Sequence, residues 1–119
     1  MDESSQHRKY IVGRLFVRPG HREAFVALLP DYMRYTLREP GCLFFEMAPS
    51  MLDPNVIVIA ECFASPAAHS EHLKAEPFRK MWSAVNTMCD RGEFDNVFAG
   101  SVETDVATFD ATSLQEPRY

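Results

Sequence analysis

The stretch CLFFEMAPSMLDPNVIVIAECF, residues 42–63, contains two apolar runs separated by a polar connection. The runs at 42–48 and 56–63 are rich in β-branched and aromatic residues, which favour strands. The tripeptide DPN near the end of the connection at 49–55 is typical of a turn. The stretch therefore predicts an antiparallel hairpin.

Both runs are apolar at nearly every position, not at alternate positions. In the first run, Phe45 and Met47 should point to one face of the sheet, and Phe44 and Ala48 to the other. An antiparallel sheet with one face in water normally alternates apolar and polar residues. Since helices can cover only one face of a four-stranded sheet, we expect a second copy of the chain to cover the other face. The hairpin thus predicts a homodimer that packs sheet on sheet.

Upstream of the hairpin, the run YIVGRLFVR at 10–18 ends at a Pro-Gly turn and predicts a first strand. Residues 21–39 then change to a helical spacing of apolar residues. Pro30 lies inside this helix and should kink it, because its ring removes a backbone donor. A second Pro-Gly pair, at 40–41, ends the helix.

Downstream of the hairpin, Ser65 followed by Pro66 is a helix start, with a side-chain cap and a proline in the first turn. This helix should run to about Ala75, and Pro77 should begin a second helical segment. Residues 91–104 should supply a turn and a last strand. The order is βαββαβ, which predicts an α+β ferredoxin-like fold with an antiparallel sheet. We expect one domain at 10–104, a flexible N-terminal arm at 1–9 and a C-terminal tail at 105–119.

The composition excludes several classes of function. The net charge is −5 and the basic residues form no stripe, so we expect no nucleic-acid partner. The apolar runs are too short to cross a bilayer, so we expect no membrane partner either. Three cysteines without a CxxC pair predict reduced thiols in the cytoplasm rather than a disulfide scaffold.

Five short motifs occur along residues 10–104. They are Pro-Gly at 19–20, EPGCLFFE at 39–46, DPN at 53–55, AECFAS at 60–65 and HLKAEPF at 72–78. In the order and spacing of these motifs, the chain resembles the antibiotic biosynthesis monooxygenase family.

This resemblance implies a dimeric α+β barrel in which each subunit keeps a pocket between its sheet and its helices. It also implies a monooxygenase that needs no cofactor, because the deprotonated aromatic or quinol-like substrate itself gives electrons to molecular oxygen. Family members carry other chemistry as well, since a fold does not fix a reaction. An isomerase of an oxygenated or phosphorylated carbohydrate is therefore one alternative, and a dimer that only binds small molecules is another. The chain departs from the common family pattern at Phe63, where tryptophan is frequent, and at Pro77, where histidine is frequent.

Two histidines are the candidate catalytic residues. His72 matches the frequent family histidine after the third strand, and His69 lies one helical turn earlier on the same face. One imidazole could take a proton from a phenolic or enolic substrate near neutral pH, and the other could stabilise the anion. The alternative is that either histidine is a half-exposed helix residue without a chemical role. We do not expect a metal site, because Glu71 and Glu76 are not placed as further ligands.

Two carboxylates, Glu46 and Glu61, lie in strands that otherwise avoid charge. If paired residues of the hairpin have numbers with an odd sum near 105, these carboxylates share a face; an even sum separates them. Together in a pocket they would form a substrate-binding acid and base pair, with one pKa raised. Ion pairing with an arginine is the simpler interpretation.

Aromatic residues could line the pocket and stack on a flat substrate. The candidates are Phe44, Phe45, Phe63, Phe78 and Trp82, of which Phe63 and Trp82 are favoured. Cys42 and Cys62 could face each other across the hairpin, but we expect them to be small buried side chains.

Overall fold

The computed structural model describes residues 7–98. The elements are β1 (Lys9–Val17), α1 (Arg22–Leu37), β2 (Cys42–Pro49), β3 (Val56–Phe63), α2 (Pro66–Lys74), α3 (Glu76–Met88) and β4 (Cys89–Phe98). The four strands form one antiparallel sheet in the order β2-β3-β1-β4. This arrangement confirms the predicted α+β ferredoxin-like fold. The predicted tail at 105–119 and most of the predicted arm at 1–9 lie outside the described residues.

One face of the sheet packs against the helices and forms the core. Helix α1 contributes residues spaced by three or four positions, which places them on one side of the helix. They are Phe25, Leu29, Tyr32 and Thr36. Pro30 lies on the exposed side, and α1 continues through it. From the sheet, the buried positions alternate along β1 and β2 and at Ile57 and Ile59 of β3.

Helix α2 begins and ends where the sequence predicts. The Ser65 hydroxyl accepts a hydrogen bond from the Ala68 N–H at 3.1 Å, which caps the helix beside Pro66. Extended backbone at Ala75 separates α2 from α3. Gly41 precedes β2 with a φ of +84°, and a Cβ there would lie 2.6 Å from the Cβ of Ala68. Glycine at this turn therefore lets α2 approach the start of β2 closely.

The last strand begins earlier than predicted. Strand β4 follows α3 directly at Cys89, and Arg91 and Gly92 belong to the strand and not to a turn. The Arg91 guanidinium lies 4.0 Å from the centre of the Phe16 ring, and Gly92 pairs with Leu15. These contacts with β1 hold the segment extended. The rest of the predicted strand region, residues 99–104, lies outside the described residues.

The register of the hairpin separates the two strand carboxylates. Phe45 pairs with Glu61, and Glu46 pairs with Ala60, so paired numbers have an even sum. Glu61 therefore points toward the helices and Glu46 toward the opposite face. An irregularity between Cys42 and Phe44 also shifts the pairing there.

The cysteines of the described chain are free thiols. Because of the shifted pairing, Cys42 lies opposite Phe63 and Cys62 lies opposite Phe44. Cys42, Cys62 and Cys89 all occur as free cysteines, and the last two are buried. The expectation of small buried side chains therefore holds for Cys62, while Cys42 is only partly buried.

The sheet face opposite the helices is largely apolar and exposed in the single chain. Val12 is 54% exposed and Phe44 is 50% exposed, and Val58 and Val97 are also exposed. We call this surface the outer face. Arg14 and Glu93 form an ion pair of 2.8 Å on it. Both faces of the sheet therefore carry apolar side chains, as the hairpin sequence indicates.

None of the helices within residues 7–98 combines the length and the apolar character needed to span a membrane.

Candidate active site

A cavity of about 350 Å³ lies between the helix-covered face of the sheet and the three helices. Most of its wall is apolar. The wall includes Ile11, Leu15, Phe45, Met47, Ile59, Phe78, Met81, Trp82, Val85 and Phe94. We call it the inner cavity. Its size and lining are those of a small-molecule site with a few placed polar groups.

A glycine in β1 makes room for one wall of the inner cavity. Gly13 pairs with Phe94 across β1 and β4. A Cβ at Gly13 would lie 2.6 Å from the Phe94 ring and 2.6 Å from the backbone oxygen of Glu93. The absence of a side chain at Gly13 therefore lets Phe94 lie over the strand.

His72 is the most buried polar residue on the cavity wall, with 2% of its surface exposed. Its Nδ1 lies 2.5 Å from Glu39 Oε1, and its Nε2 lies 3.2 Å from the Tyr32 hydroxyl. Because a carboxylate accepts hydrogen bonds, the ring proton belongs on Nδ1 when the imidazole is neutral. Nε2 then accepts from the hydroxyl of Tyr32, which also lines the inner cavity, and Nε2 is the basic atom of the ring.

His69 has the opposite electrical surroundings. Its Nδ1 lies 2.9 Å from Lys9 Nζ, and since an ammonium can only donate, Nδ1 is the acceptor. Burial lowers the pKa of His69 to about 4, and the neighbouring Lys9 and His72 add to this effect. His69 is therefore neutral at physiological pH, with its remaining ring proton on Nε2.

Glu61 gives the inner cavity a carboxyl group that changes charge near neutrality. Burial raises its pKa to about 7, and the Lys9 ammonium offsets part of that rise. Burial also raises the pKa of the Tyr32 hydroxyl far above its ordinary value, and the charges of Glu61 and Glu39 add to that rise. Tyr32 is therefore protonated and able to donate.

Two predicted aromatic residues take different positions. Trp82 lines the inner cavity, stacks on Phe78 at 5.9 Å between ring centres, and remains 45% exposed where the cavity opens to solvent. Phe63 is fully buried behind the imidazoles, with ring centres 5.1 Å from His69 and 5.3 Å from His72. Phe63 therefore supports the two rings, and the prediction that it lines the pocket is wrong.

Two other predicted substrate-binding residues lie away from the inner cavity. Phe44 and Glu46 point to the outer face, because the even register places Phe45 and Met47 inward. The prediction that Phe44 and Glu46 contact the same small molecule as His72 is therefore wrong. The simpler interpretation paired Glu61 with an arginine. The observed ion pairs differ, because Arg14 pairs with Glu93 and Arg18 pairs with Asp90.

The structure adds polar residues that the sequence patterns did not indicate. Tyr32 and Glu39 both lie within the helix predicted at 21–39, and neither was a candidate site residue. Lys9 was assigned to the arm at 1–9 but is the first residue of β1. Asn96 of β4 also lines the inner cavity. The seven-residue spacing of Tyr32 and Glu39, about two helical turns, is the one local signal that could have related them.

Within residues 7–98, no group of three or more His, Cys, Asp or Glu side chains is arranged to hold a metal ion.

Comparison with known proteins identifies the family of the chain. The sequence model for antibiotic biosynthesis monooxygenases matches residues 10–83, more than half of the chain. No curated protein matches the chain significantly.

Many solved structures share the fold. A protein of Shewanella oneidensis is 22% identical with a TM-score of 0.74, and the match covers 79% of this chain and 92% of that one. A candidate antibiotic biosynthesis monooxygenase of Nitrosomonas europaea is 20% identical with a TM-score of 0.71, covering 82% and 92%. A protein of Bacteroides thetaiotaomicron described as a possible oxidoreductase is 15% identical with a TM-score of 0.73, covering 79% and 99%. At these identities the likeness shows the fold, and the match over residues 10–83 shows that the chain belongs to the antibiotic biosynthesis monooxygenase family.

Proposed function

We propose that this protein is a cofactor-independent monooxygenase that oxidises a small aromatic or quinol-like molecule with molecular oxygen. The observation that carries the proposal is the apolar inner cavity with a buried imidazole whose basic nitrogen contacts a tyrosine hydroxyl on the cavity wall. Membership of the family supports oxygenase chemistry at this site. A flat apolar substrate fits walls that offer burial and ring stacking.

His72 is the base in this proposal. The substrate hydroxyl gives its proton to the Tyr32 oxygen while the Tyr32 proton passes to His72 Nε2, which lies 3.2 Å away. The resulting imidazolium is balanced by the Glu39 carboxylate at its Nδ1. Phe45, Phe63 and Phe78 surround the ring and limit the access of water.

The deprotonated substrate then reduces oxygen. Written overall as AH₂ + O₂ → AO + H₂O, the substrate supplies all four electrons and both hydrogens. One oxygen atom is retained in the product, and the other leaves as water. His72 returns its proton to the peroxy intermediate, so the imidazole is neutral again after each turnover.

Lys9, His69 and Glu61 form a second set of polar side chains in the inner cavity, and they would bind an oxygen-bearing end of the substrate. Lys9 supplies positive charge, and His69 can donate from Nε2 because its Nδ1 accepts from Lys9. Both favour the negative charge that a conjugated anion spreads to an oxygen at this end. Glu61, when protonated, is a further donor beside them.

The outer face supports a homodimer as part of the same proposal. Its exposed apolar side chains, Val12, Phe44, Val58 and Val97, form a surface on a sheet that the helices do not cover. A second copy would bury this surface by packing sheet on sheet.

Oxygen uptake tests the proposed reaction. We expect a panel of naphthohydroquinones and anthrones to include a substrate that consumes one O₂ per molecule, with one ¹⁸O atom from labelled gas in the product. Substrate conversion without oxygen uptake would instead indicate an isomerase. Binding without conversion across the panel would indicate a dimer that only binds small molecules. The apolar walls disfavour a phosphorylated sugar, whose hydroxyl and phosphate groups need polar partners when buried.

The role of His72 is tested by a matched pair of substitutions. His72→Gln removes the base and should lower kcat by about 100-fold or more. His21→Gln makes the same change just before α1, where the side chain makes no capping hydrogen bond, and should leave kcat unchanged. Equal rates for the two variants would show that His72 is not the base.

A further inference from the structure

A second cavity lies on the other side of His72, outside the inner cavity. It has a volume of about 560 Å³ and opens between the end of α1 and helix α2. We call it the outer cavity. Its lining residues are Tyr35, Arg38, Glu39, Pro40, Glu71, Lys74 and Ala75, and none of these lines the inner cavity.

Three side chains connect the two cavities. Tyr32 and His72 line the inner cavity, and Glu39 lines the outer one. The hydroxyl, the imidazole and the carboxylate follow one another at 3.2 Å and 2.5 Å. The exposed fraction of the side chain rises from 2% at His72 to 13% at Glu39. A continuous line of hydrogen bonds therefore crosses the wall while the imidazole itself stays buried.

We propose that Glu39 is a positioning residue that fixes the tautomer of His72 and exchanges the proton held by His72 with solvent in the outer cavity. This inference rests on the proposed function, in which His72 is the base. It gives the buried base a contact with water that does not pass through the substrate cavity.

The proton steps balance without any electron transfer. In the resting state the Nδ1–H of His72 donates to the Glu39 carboxylate, and Nε2 carries a lone pair. After Nε2 takes a proton, the Nδ1 proton can pass to Glu39, which leaves a neutral ring and a carboxylic acid. The carboxylic acid exchanges its proton with water in the outer cavity and returns one to Nδ1. The ring is then again an imidazolium, ready to give the Nε2 proton to the peroxy intermediate.

Other ionisable groups surround this line and would modulate it. On the inner side, Tyr32, Glu61 and His69 lie near His72, with Lys9 beside His69. On the outer side, Arg38, Glu71 and Lys74 line the same cavity as Glu39, and Lys74 lies 3.4 Å from Glu71. Tyr35 and Cys42 complete the ionisable neighbours of Glu39. Glu71 therefore offers a matched control: it is a carboxylate of the same cavity, but it pairs with Lys74 and not with His72.

The tautomer is tested first, in the unchanged protein without substrate. ¹⁵N NMR of the histidine rings should show His72 with its proton on Nδ1 when neutral. A neutral His72 with its proton on Nε2 would overturn the proposal without any variant having to fold.

The dependence of the tautomer on Glu39 is tested next. In Glu39→Gln, ¹⁵N NMR should show less of the Nδ1-protonated form of neutral His72, because an amide can donate to Nδ1 whereas a carboxylate only accepts. Glu71→Gln should leave the tautomer of His72 unchanged. The same tautomer proportions in the two variants would show that Glu39 has no special relation to His72.

Proton exchange through the outer cavity is tested by chemical rescue. Glu39→Ala should lower kcat about tenfold or more while KM changes little, because the imidazolium that forms when Nε2 takes the substrate proton loses the carboxylate that balances it. Formate added to this variant should restore part of kcat by entering the space left on the outer side. His72→Gln should gain nothing from formate, and a Glu39→Ala enzyme that formate does not restore would contradict the proton exchange.

The two proposals fail in different ways. If no quinol or anthrone supports oxygen uptake but His72 still responds to Glu39→Gln, the proposed function is wrong and the coupling stands. If oxygen uptake is found but Glu39→Gln behaves like Glu71→Gln in both NMR and rate, this inference is wrong and the proposed function stands.

Discussion

Strand β3 carries two different surfaces one residue apart. Its inward positions, such as Ile57 and Glu61, join the core and the inner cavity, whereas Val58 and Ala60 belong to the outer face. Two carboxylates on neighbouring strands show the same division. Glu61 is half-buried near Lys9 with a pKa raised to about 7, and Glu46, paired with Ala60, is exposed. The side of the sheet, and not the residue type, therefore decides whether a strand residue faces the inner cavity or the outer face.

The largest expected contrast is in the stability of adjacent β3 residues. Ile57→Ala removes a fully buried side chain and should lower the free energy of unfolding by about 2–5 kcal/mol. Val58→Ala removes a half-exposed one and should cost clearly less in the isolated subunit. Urea unfolding at low protein concentration measures both. Equal losses would mean that the two sides of β3 do not differ as described.

The next contrast concerns assembly. A lysine at Val58 would place an unpaired charge in the proposed interface and should weaken the dimer by about 100-fold in Kd. Ala27→Lys adds the same charge on the exposed side of α1 and should leave the dimer intact. Sedimentation equilibrium measures both constants. If the unchanged protein at micromolar concentration sediments as one 13.6 kDa chain, the outer face does not bind a second copy.

The two strand carboxylates should differ in their effect on the pH dependence of stability. The pKa of Glu61 is about 7 in the folded protein and 4.5 ordinarily, so the folded state binds the proton more tightly than the unfolded chain. Stability contributed by this group is complete below about pH 4.5 and is lost as pH rises through 7. Glu61→Gln should remove that decline, raising stability at pH 8 by about 1–3 kcal/mol relative to the unchanged protein.

Glu46→Gln is the matched control for this measurement. It makes the same chemical change on the outer face and should leave the decline between pH 4.5 and 7 in place. Thermal unfolding at a series of pH values compares the two variants. A Glu61→Gln protein with the same decline as the control would contradict the burial of Glu61.

The smallest expected effect is on His69. Lys9→Met removes a neighbouring positive charge and should raise the pKa of His69 from about 4 by roughly 1 unit or less. The pKa should stay below its ordinary value, because burial is the larger cause of the lowering. Arg14→Met removes a cation from the outer face of the same strand and should not move it. Histidine NMR titration measures both, and an unchanged His69 in Lys9→Met would contradict the contact with Lys9.

Much of the fold was predictable because local patterns carry it. The apolar runs, the Pro-Gly turns and the Ser65-Pro66 helix start each specify an element, and their order specifies the βαββαβ arrangement. Helical spacing likewise placed His69 and His72 on one side of α2. Both face inward, as a site at these residues requires.

The rest depended on register and on contacts between distant parts of the chain. The sides of Glu46 and Glu61 follow from whether paired numbers sum to an even or odd value, and the loop at 49–55 sets that value. The partners of His72 lie 33 and 40 residues away in sequence. No local spacing on α2 points to them, which is why Tyr32 and Glu39 were not recognised.

The close contact at Gly41 limits which mutations this turn can tolerate. Helix α2 has nine residues, and an isolated helix of this length is scarcely stable. Its packing contacts with the rest of the domain therefore determine the positions of His69 and His72. One of these contacts is made by the methyl group of Ala68, which packs against Gly41. A mutation that adds a side chain at Gly41 would therefore displace the helix and its two imidazoles, although every residue of the candidate active site remained unchanged.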